Sequence, residues 1–153
     1  MNTIRPLCED DYPFIDNYIK QRPWERSNKK WVSLIDPVLI EATLKNQNPN
    51  IHAVIVKDTY LVLFSLGKPW FTKKALVDEK LIFRLLNGPG KFKDVVIALE
   101  YIAKTVGASG VMVGTGLVPK DAAMVRIYQH AGFEASSINL YKEITTSGDI
   151  IDV

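Results

Sequence analysis

A strand–helix–strand pattern between residues 77 and 114 constrains the fold of this chain more than any other feature. The segment ALVDEKLIFRLL, at residues 75–86, is rich in β-branched, aromatic and leucine side chains, as strands are. From Phe92 onward the apolar residues recur at helical spacing, and the short run GVMVG that follows is typical of a buried strand. Two strands joined through a helix pair in parallel with a right-handed crossover, so the sequence predicts a parallel strand pair here.

The rest of the chain predicts antiparallel neighbours for that pair. A short strand at residues 2–7 is followed by two helices, and the second begins with Asp36 as N-cap and Pro37 at its first position. The strands IHAVIV and YLVLFSLG come next, with a hairpin turn at residues 57–59. After a helix within residues 119–132, the segment FEASSINLYKEI predicts a last strand. The sequence therefore predicts a mixed α/β sheet of about six strands with helices on both faces.

Length and composition indicate one ordinary domain. With 153 residues the chain can bury a core without disulfides or metals, and we expect a single domain at residues 1–145 and a C-terminal tail at 146–153. A formal net charge of +2 does not by itself indicate a nucleic-acid partner. Cys8, His52 and His130 are too few to favour a zinc site, so no metal is expected. With no signal peptide and no apolar run of about 20 residues, the expected location is cytoplasmic, without a membrane partner.

The turn NGPGKFKD, at residues 87–94, connects a predicted strand to a predicted helix. The first N–H groups of a helix lack internal partners, and the helix dipole adds partial positive charge there, so this end of a helix attracts anions. Lys91 and Lys93 add full positive charges, which oppose the dipole unless an anion binds between them. The alternative interpretation is a tight connection with solvated lysines. The segment lacks the spacing of a P-loop and of a dinucleotide-binding fingerprint.

Two stretches, in this order, resemble the GNAT superfamily of acyl-CoA-dependent N-acyltransferases. LLNGPG, at residues 85–90, fits both glycines of that family's coenzyme motif, (Q/R)-x-x-G-x-(G/A). DAAMVRIYQHAGF resembles the later motif N-x-x-A-x-x-x-Y-x-x-x-G-F, with Tyr128, Gly132 and Phe133 in place. The opening TIRPLCEDDYPFI is also similar to a GNAT first strand and helix. The resemblance spans the chain to about residue 144. The segments KPWFTKK and ALVDEKLIFRL also resemble small GNAT proteins of tailed phages.

The resemblance implies a GNAT fold, with a cleft splayed open between strands 4 and 5, and an acetyl-CoA-dependent N-acetyltransferase. In that family the coenzyme pyrophosphate lies on the amides of the motif turn, and the pantetheine arm pairs with the end of strand 4. Asp121 takes the position of the family's Asn, near the coenzyme arm. The implied pyrophosphate ligands are the N–H groups of Gly88, Gly90, Lys91, Phe92 and Lys93, and the implied pantetheine contacts are Phe83, Arg84 and Leu85.

The resemblance also implies direct attack of a primary amine on the thioester, without a covalent enzyme intermediate. A base must accept the proton of the amine. Glu79 is the candidate, and Asp78 is its possible substitute, because alternation along a strand sends the two side chains to opposite faces. Tyr128 is the implied proton donor to the leaving thiolate. The alternative interpretations are a polar strand end for Glu79 and packing on an apolar helix face for Tyr128.

Two departures from the family's motifs leave other functions open. Leu85 occupies the Gln/Arg position, with Arg84 one residue earlier, and Asp121 replaces Asn. A GNAT-fold binding or structural protein without catalysis is therefore one alternative. A nucleic-acid-binding module is another, since the basic loop at residues 20–31 also holds two tryptophans.

The acceptor is not identified by the sequence. Small-molecule amines and protein amines both suit the implied chemistry, and a homodimer, common among GNAT domains, is neither supported nor excluded. Four aromatic residues are candidates either for the acceptor side or for the core: Trp24, Trp31, Trp70 and Phe71.

Overall fold

A mixed β-sheet forms the centre of the protein, and its strands lie side by side in chain order. The computed structural model describes residues 3–114, 121–137 and 139–144. Within these residues the sheet has five strands, and the first four are antiparallel neighbours, whereas the last pair is parallel as predicted. The strands are β1 (Ile4–Pro6), β2 (His52–Val56), β3 (Tyr60–Gly67), β4 (Leu76–Arg84) and β5 (Val111–Met112).

Four α-helices accompany the sheet in the described part of the chain. The start of the second is set locally, because the Asp36 side chain accepts a hydrogen bond from the Val38 N–H at 2.8 Å and Pro37 follows at the first position. The third ends at Gly107, whose φ of 72° is the left-handed conformation that glycine adopts without strain. The helices are α1 (Tyr12–Gln21), α2 (Pro37–Leu44), α3 (Phe92–Val106) and α4 (Asp121–His130).

The sheet buries a separate apolar core on each face. On one face α3 contributes Val95 and Leu99, which pack against strand residues that include Val77. On the other face Ile15 of α1 and Leu44 of α2 pack against the opposite sides of the same strands. Full burial of one such side chain stabilises the fold by about 1.5–3 kcal/mol. Helices therefore cover both faces, as the sequence predicts.

A β-bulge in β4 changes which face its side chains reach. Leu81 pairs with Leu63, but the next pair along is Glu79 with Phe64, so Lys80 has no partner on β3. Before the bulge Val77 packs in the α3 core, whereas Leu81 packs in the core of α1 and α2. Without an extra residue the two side chains would share a face. By alternation from Val77, Glu79 lies on the α3 face.

The predicted last strand is wrong for the described residues 133–137 and 139–144, none of which is part of a sheet. Leu140 is 92 % exposed there. An alternating sequence pattern becomes a strand only where a sheet edge is available to pair with it, and β5 at the edge of the described sheet has two residues. The 146–153 tail lies outside the described residues, so the domain boundary stays a prediction. No helix in the described ranges is long and apolar enough to span a membrane.

Candidate active site

The two parallel strands pair over a short stretch of the described residues. Their pairing consists of Val77 with Val111 and Asp78 with Met112, whereas β4 continues to Arg84. Beyond Asp78, no described strand covers this edge of β4. The early end of the pairing matches the predicted opening between the fourth and fifth strands.

The hydrogen bonds of β4 show which backbone groups face the opening. The Leu85 N–H donates to the Thr59 carbonyl at 2.9 Å, in the same register as the β3–β4 pairs. Because successive residues of an antiparallel strand point their backbone groups to alternate sides, Phe83 also faces β3. The N–H and C=O groups of Ile82 and Arg84 therefore face the open edge.

Glu79 lies where the strands separate. Its side chain accepts a hydrogen bond from the Gly114 N–H at 3.1 Å, so it links β4 to the residues that follow β5. Glu79 is only 8 % exposed. Burial raises its pKa to about 7, and the negative charge of Asp78 acts in the same direction, while the Gly114 N–H and Lys80 act against it. Near neutral pH this carboxyl can therefore either hold or accept a proton.

Tyr128 is buried close to Glu79. Its ring packs edge to face against Phe92 at 5.4 Å and against Phe133 at 5.2 Å between centroids. Burial raises the pKa of the Tyr128 phenol, and the charge of Glu79 raises it further. The phenol is therefore protonated at neutral pH and holds its proton more tightly than an exposed tyrosine does.

The Y-x-x-x-G-F spacing has a direct structural explanation. α4 ends at Gly132, whose φ of 94° turns the chain back. The Phe133 N–H then donates to the Tyr128 carbonyl at 3.0 Å, and the Phe133 ring packs on the Tyr128 ring. The motif thus builds one side of the tyrosine's pocket.

The loop at residues 85–91, called here the anchored loop, is held by Thr59, which sequence reasoning missed. Thr59 is fully buried in the β2–β3 turn. Its carbonyl accepts the N–H groups of Leu85 and Leu86 at 2.9 and 3.0 Å. Its hydroxyl accepts the Gly90 N–H at 2.7 Å and donates to the Lys57 carbonyl at 2.7 Å. A threonine in a hairpin turn has no sequence signal that links it to a loop about thirty residues later.

Both glycines of the anchored loop are needed because the β2–β3 turn lies against them. A Cβ atom on Gly88 would collide with the Asp58 carbonyl oxygen, a backbone atom that cannot move away alone. A Cβ atom on Gly90 would lie 2.9 Å from the Thr59 Cβ. The Gly-Pro-Gly sequence is therefore explained in part by close packing, whether or not an anion binds.

Two of the five amides predicted to hold a pyrophosphate already have acceptors. The Gly90 N–H donates to Thr59, and the Lys91 N–H donates to Asp94 Oδ2 at 2.7 Å. Phe92 and Lys93 occupy the first two positions of α3, where helix N–H groups lack intrahelical acceptors. Among the described residues, three predicted amides have no acceptor: those of Gly88, Phe92 and Lys93.

Arg84 adds a positive charge to the anchored loop. Its guanidinium donates to the Gly88 carbonyl at 2.6 Å and lies over the Tyr60 ring, 5.8 Å from its centroid. The family's motif places its Gln/Arg one residue later, at Leu85. The structure nevertheless brings the Arg84 side chain back onto the loop.

Within the described residues, none of the remaining predicted residues bonds to Glu79 or packs on the Tyr128 ring. Asp121 begins α4, and its side chain lies outside the described part. His52 and His130 are exposed, and the described residues contain no group of three or more His, Cys, Asp or Glu that could hold a metal. Trp24 is buried in the core, whereas Trp70 is fully open to solvent.

Comparison with known proteins identifies the architecture. No protein-family model and no curated protein matches the sequence. A ribosomal-protein-alanine N-acetyltransferase from Brucella melitensis biovar Abortus 2308 superposes with a TM-score of 0.63 at 16% identity, over 92% of this chain and 97% of its own. An aminoglycoside N-acetyltransferase in complex with CoA superposes with a TM-score of 0.57 at 14% identity, over 93% and 99%. The chain has the GNAT fold.

A third neighbour limits what the GNAT fold says about activity. A transcriptional regulator from Bacillus halodurans C-125 superposes with a TM-score of 0.60 at 16% identity, over 93% of this chain and 99% of its own. At such identities the likeness establishes architecture, and one fold carries several functions. The predicted GNAT fold is thus confirmed, and function has to be argued from the opening beside Glu79.

Proposed function

We propose that this protein is an N-acetyltransferase that moves an acetyl group from acetyl-CoA to a primary amine. The observation that carries the proposal is the pair of buried groups at the opening of β4. Glu79, with a pKa of about 7, can accept a proton there, and the protonated phenol of Tyr128 can supply one. The GNAT fold and a CoA-bound neighbour support the choice of coenzyme.

The proposed path of the coenzyme follows the open edge of β4. The pyrophosphate lies at the start of α3, where the N–H groups of Gly88, Phe92 and Lys93 have no acceptor among the described residues. Of the three strand residues predicted to contact the pantetheine arm, Arg84 has its backbone groups facing the opening. Phe83 and Leu85 direct theirs to the β3 side, so their predicted contact would involve side chains only.

The proposed chemistry balances within this set of residues. The amine nitrogen attacks the thioester carbonyl carbon, forms the amide C–N bond and loses one proton to the Glu79 carboxylate, directly or through water. The C–S bond breaks, and the CoA thiolate takes the phenolic proton of Tyr128. A backbone N–H at the open edge, from Ile82 or Arg84, stabilises the oxyanion. The acceptor class, a small-molecule or a protein amine, stays open.

A second candidate function is a GNAT-fold binding protein without catalysis. The observation that favours it is the use of the Gly90 and Lys91 amides inside the protein, which reduces the cradle for a pyrophosphate. The nucleic-acid alternative receives less support from the predicted basic loop, because one of its two tryptophans, Trp24, is buried and offers no face to a base. The other, Trp31, is half-buried.

Calorimetric titration with acetyl-CoA and CoA tests coenzyme binding, and release of the CoA thiol in the presence of an amine panel tests transfer. We expect binding, and a loss of kcat of about 10²–10⁴-fold in Glu79→Gln. Asp78→Asn is the matched control, because this neighbouring carboxylate is half-exposed and pairs with Lys80 at 2.7 Å.

Tyr128→Phe tests the proton donor, with Tyr101→Phe on the exposed face of α3 as its control. Removing the donor should lower kcat while coenzyme affinity is retained. For wild type, kcat at saturating amine should rise with pH up to about 7, as Glu79 loses its proton. The value of kcat/KM should continue to rise above about pH 7, because the attacking amine must be neutral. Coenzyme binding without turnover on any amine would favour the protein without catalysis. No binding of either coenzyme would exclude the transferase and would also favour that second candidate.

A further inference from the structure

The turn between β3 and β4, residues 68–75, is called here the exposed turn. It carries the most exposed large apolar side chain of the described residues, Trp70 at 95 % exposure, and beside it Phe71 is 69 % exposed. The two rings pack edge to face, with centroids 5.4 Å apart and planes at 88°. Aromatic surface left in water contributes nothing to folding, and contiguous apolar surface of this kind marks a site of association.

Local hydrogen bonds give the exposed turn a defined conformation. The Thr72 N–H donates to the Pro69 carbonyl at 3.0 Å, and the Lys74 N–H donates to the Thr72 hydroxyl at 3.1 Å. Pro69 also restricts the backbone just before the two aromatic residues. The turn therefore presents Trp70 and Phe71 outward as one unit.

Positive charges flank the aromatic pair on both sides. Lys68, Lys73 and Lys74 are exposed, and none of them pairs with a carboxylate among the described residues. No acidic residue occurs between residues 59 and 77. By contrast Lys80, farther along β4, is neutralised by Asp78. The charge of the exposed turn is thus complementary to an anionic surface.

We propose that the exposed turn docks on the surface of an anionic lipid bilayer. Trp70 and Phe71 enter the interfacial layer, where aromatic side chains concentrate, and the three lysines face the anionic headgroups. Each lysine near such a surface contributes about fivefold in affinity. The sequence-based expectation of no membrane partner rested on the lack of a spanning run, which a peripheral contact does not need. The proposal is independent of the transferase function.

The geometry favours a bilayer over a single-stranded nucleic acid. At 95 % exposure Trp70 lies in no groove, whereas single-strand sites combine a basic groove with aromatic faces for successive bases. Because the two rings pack edge to face, the edge of one ring covers a face of the other, and that face is not free to stack on a base. A deformable interface can accommodate such a protruding pair without a complementary groove.

Vesicle co-sedimentation tests the proposal, with phosphatidylcholine vesicles that either contain or lack phosphatidylserine. We expect wild type to bind only the anionic vesicles, with a blue shift of tryptophan emission. Trp70→Phe should abolish this shift, because Trp24 is already buried and Trp31, which is half-buried, lies outside the exposed turn. Trp70→Ala/Phe71→Ala should abolish binding. Lys68→Gln/Lys73→Gln/Lys74→Gln should weaken it about a hundredfold.

The matched control removes the same charge from other exposed sites, with Lys20→Gln/Lys104→Gln/Lys142→Gln. This variant should lose less than about fivefold in vesicle affinity, since its lysines belong to α1, α3 and the segment after α4 and not to the exposed turn. Circular dichroism checks that every variant is folded. Absence of wild-type binding, equal losses in the two lysine variants, or tighter binding to a single-stranded oligonucleotide than to vesicles would overturn the proposal.

Discussion

The two turns that flank β4 have similar compositions, but one is exposed to solvent and the other is packed against the β2–β3 turn. GKPWFTKK precedes the strand and NGPGKFKD follows it, and both combine glycine, proline, aromatic residues and lysines. A Cβ atom on Gly67 would meet nothing within 4 Å, whereas one on Gly88 would collide with the β2–β3 turn. Composition therefore predicts a turn, but it does not predict whether another part of the chain packs against that turn.

Thr59 is the cause of the difference. It provides acceptors for three N–H groups of the anchored loop, and no comparable buried residue contacts the exposed turn in the described structure. As a result the aromatic residue after the anchored loop, Phe92, packs against Tyr60 and Tyr128. Among the described residues, each aromatic ring of the exposed turn has the other as its one aromatic neighbour.

The largest expected effect is the pH dependence of stability that the buried carboxyl of Glu79 causes, in contrast to its exposed neighbour Asp78 on β4. Glu79 has a pKa of about 7 in the folded protein, against 4.5 when unperturbed, so between these values the folded state holds a proton that the unfolded state has lost. The free energy of unfolding should therefore fall as pH rises from 4.5 to 7, by on the order of 3 kcal/mol. Urea unfolding over this range should show that Glu79→Gln lacks this slope, while Asp78→Asn keeps it. Parallel curves for wild type and Glu79→Gln would contradict the burial argument.

Adding one methyl group to a glycine of each turn tests directly whether the two turns are packed differently. Gly88→Ala should destabilise the protein by about 2–3 kcal/mol and abolish coenzyme binding, because the new Cβ displaces the anchored loop from the Asp58 carbonyl. Gly67→Ala, with open space at its Cβ, should change stability by no more than about 0.5 kcal/mol. Thermal and urea unfolding measure both variants, and equal losses would mean that the two turns are packed alike.

Removing the Thr59 hydroxyl tests whether its hydrogen bond to Gly90 holds the anchored loop in place. Thr59→Val keeps the side-chain shape but leaves the buried Gly90 N–H without an acceptor, at a cost of about 1–2 kcal/mol. Thr59→Ser keeps the hydroxyl and should retain coenzyme affinity that Thr59→Val loses. Titration with CoA tests the affinity, and amide exchange at Gly90 should accelerate only in Thr59→Val. Equal behaviour of the two variants would show that the hydroxyl does not position the loop.

The smallest expected effect is on the stability of the exposed turn. Trp70→Ala/Phe71→Ala should shift the free energy of unfolding by less than about 0.5 kcal/mol, since these rings contact little besides each other. Phe92→Ala is the matched variant beside the anchored loop and should cost more, because its ring packs on two tyrosines. A larger loss in the exposed turn than in Phe92→Ala would show hidden packing there.

Sequence patterns predicted the parts of this fold that are specified locally. The helix start at Asp36 and Pro37, the helix end at Gly107 and the hairpin at residues 57–59 all formed where short motifs placed them. The predicted last strand failed, because a strand needs a partner and its pattern is only half of the requirement. The family resemblance implied a bulge in this region, but its position at Lys80 was not indicated by the residues, because β4 mixes charged and apolar residues without regular alternation.

Local patterns in the sequence were enough to predict the helices, most strands and the parallel pair beside the opening, and the family resemblance implied the candidate pair Glu79 and Tyr128. Only the tertiary structure decided that burial holds the pKa of Glu79 near 7, that Thr59 occupies the Gly90 amide, and that Trp24 is buried while Trp70 is exposed. The two kinds of interaction act over different distances along the chain. Caps, turns and periodicity act over a few residues, whereas desolvation and buried hydrogen bonds depend on residues that only folding brings together.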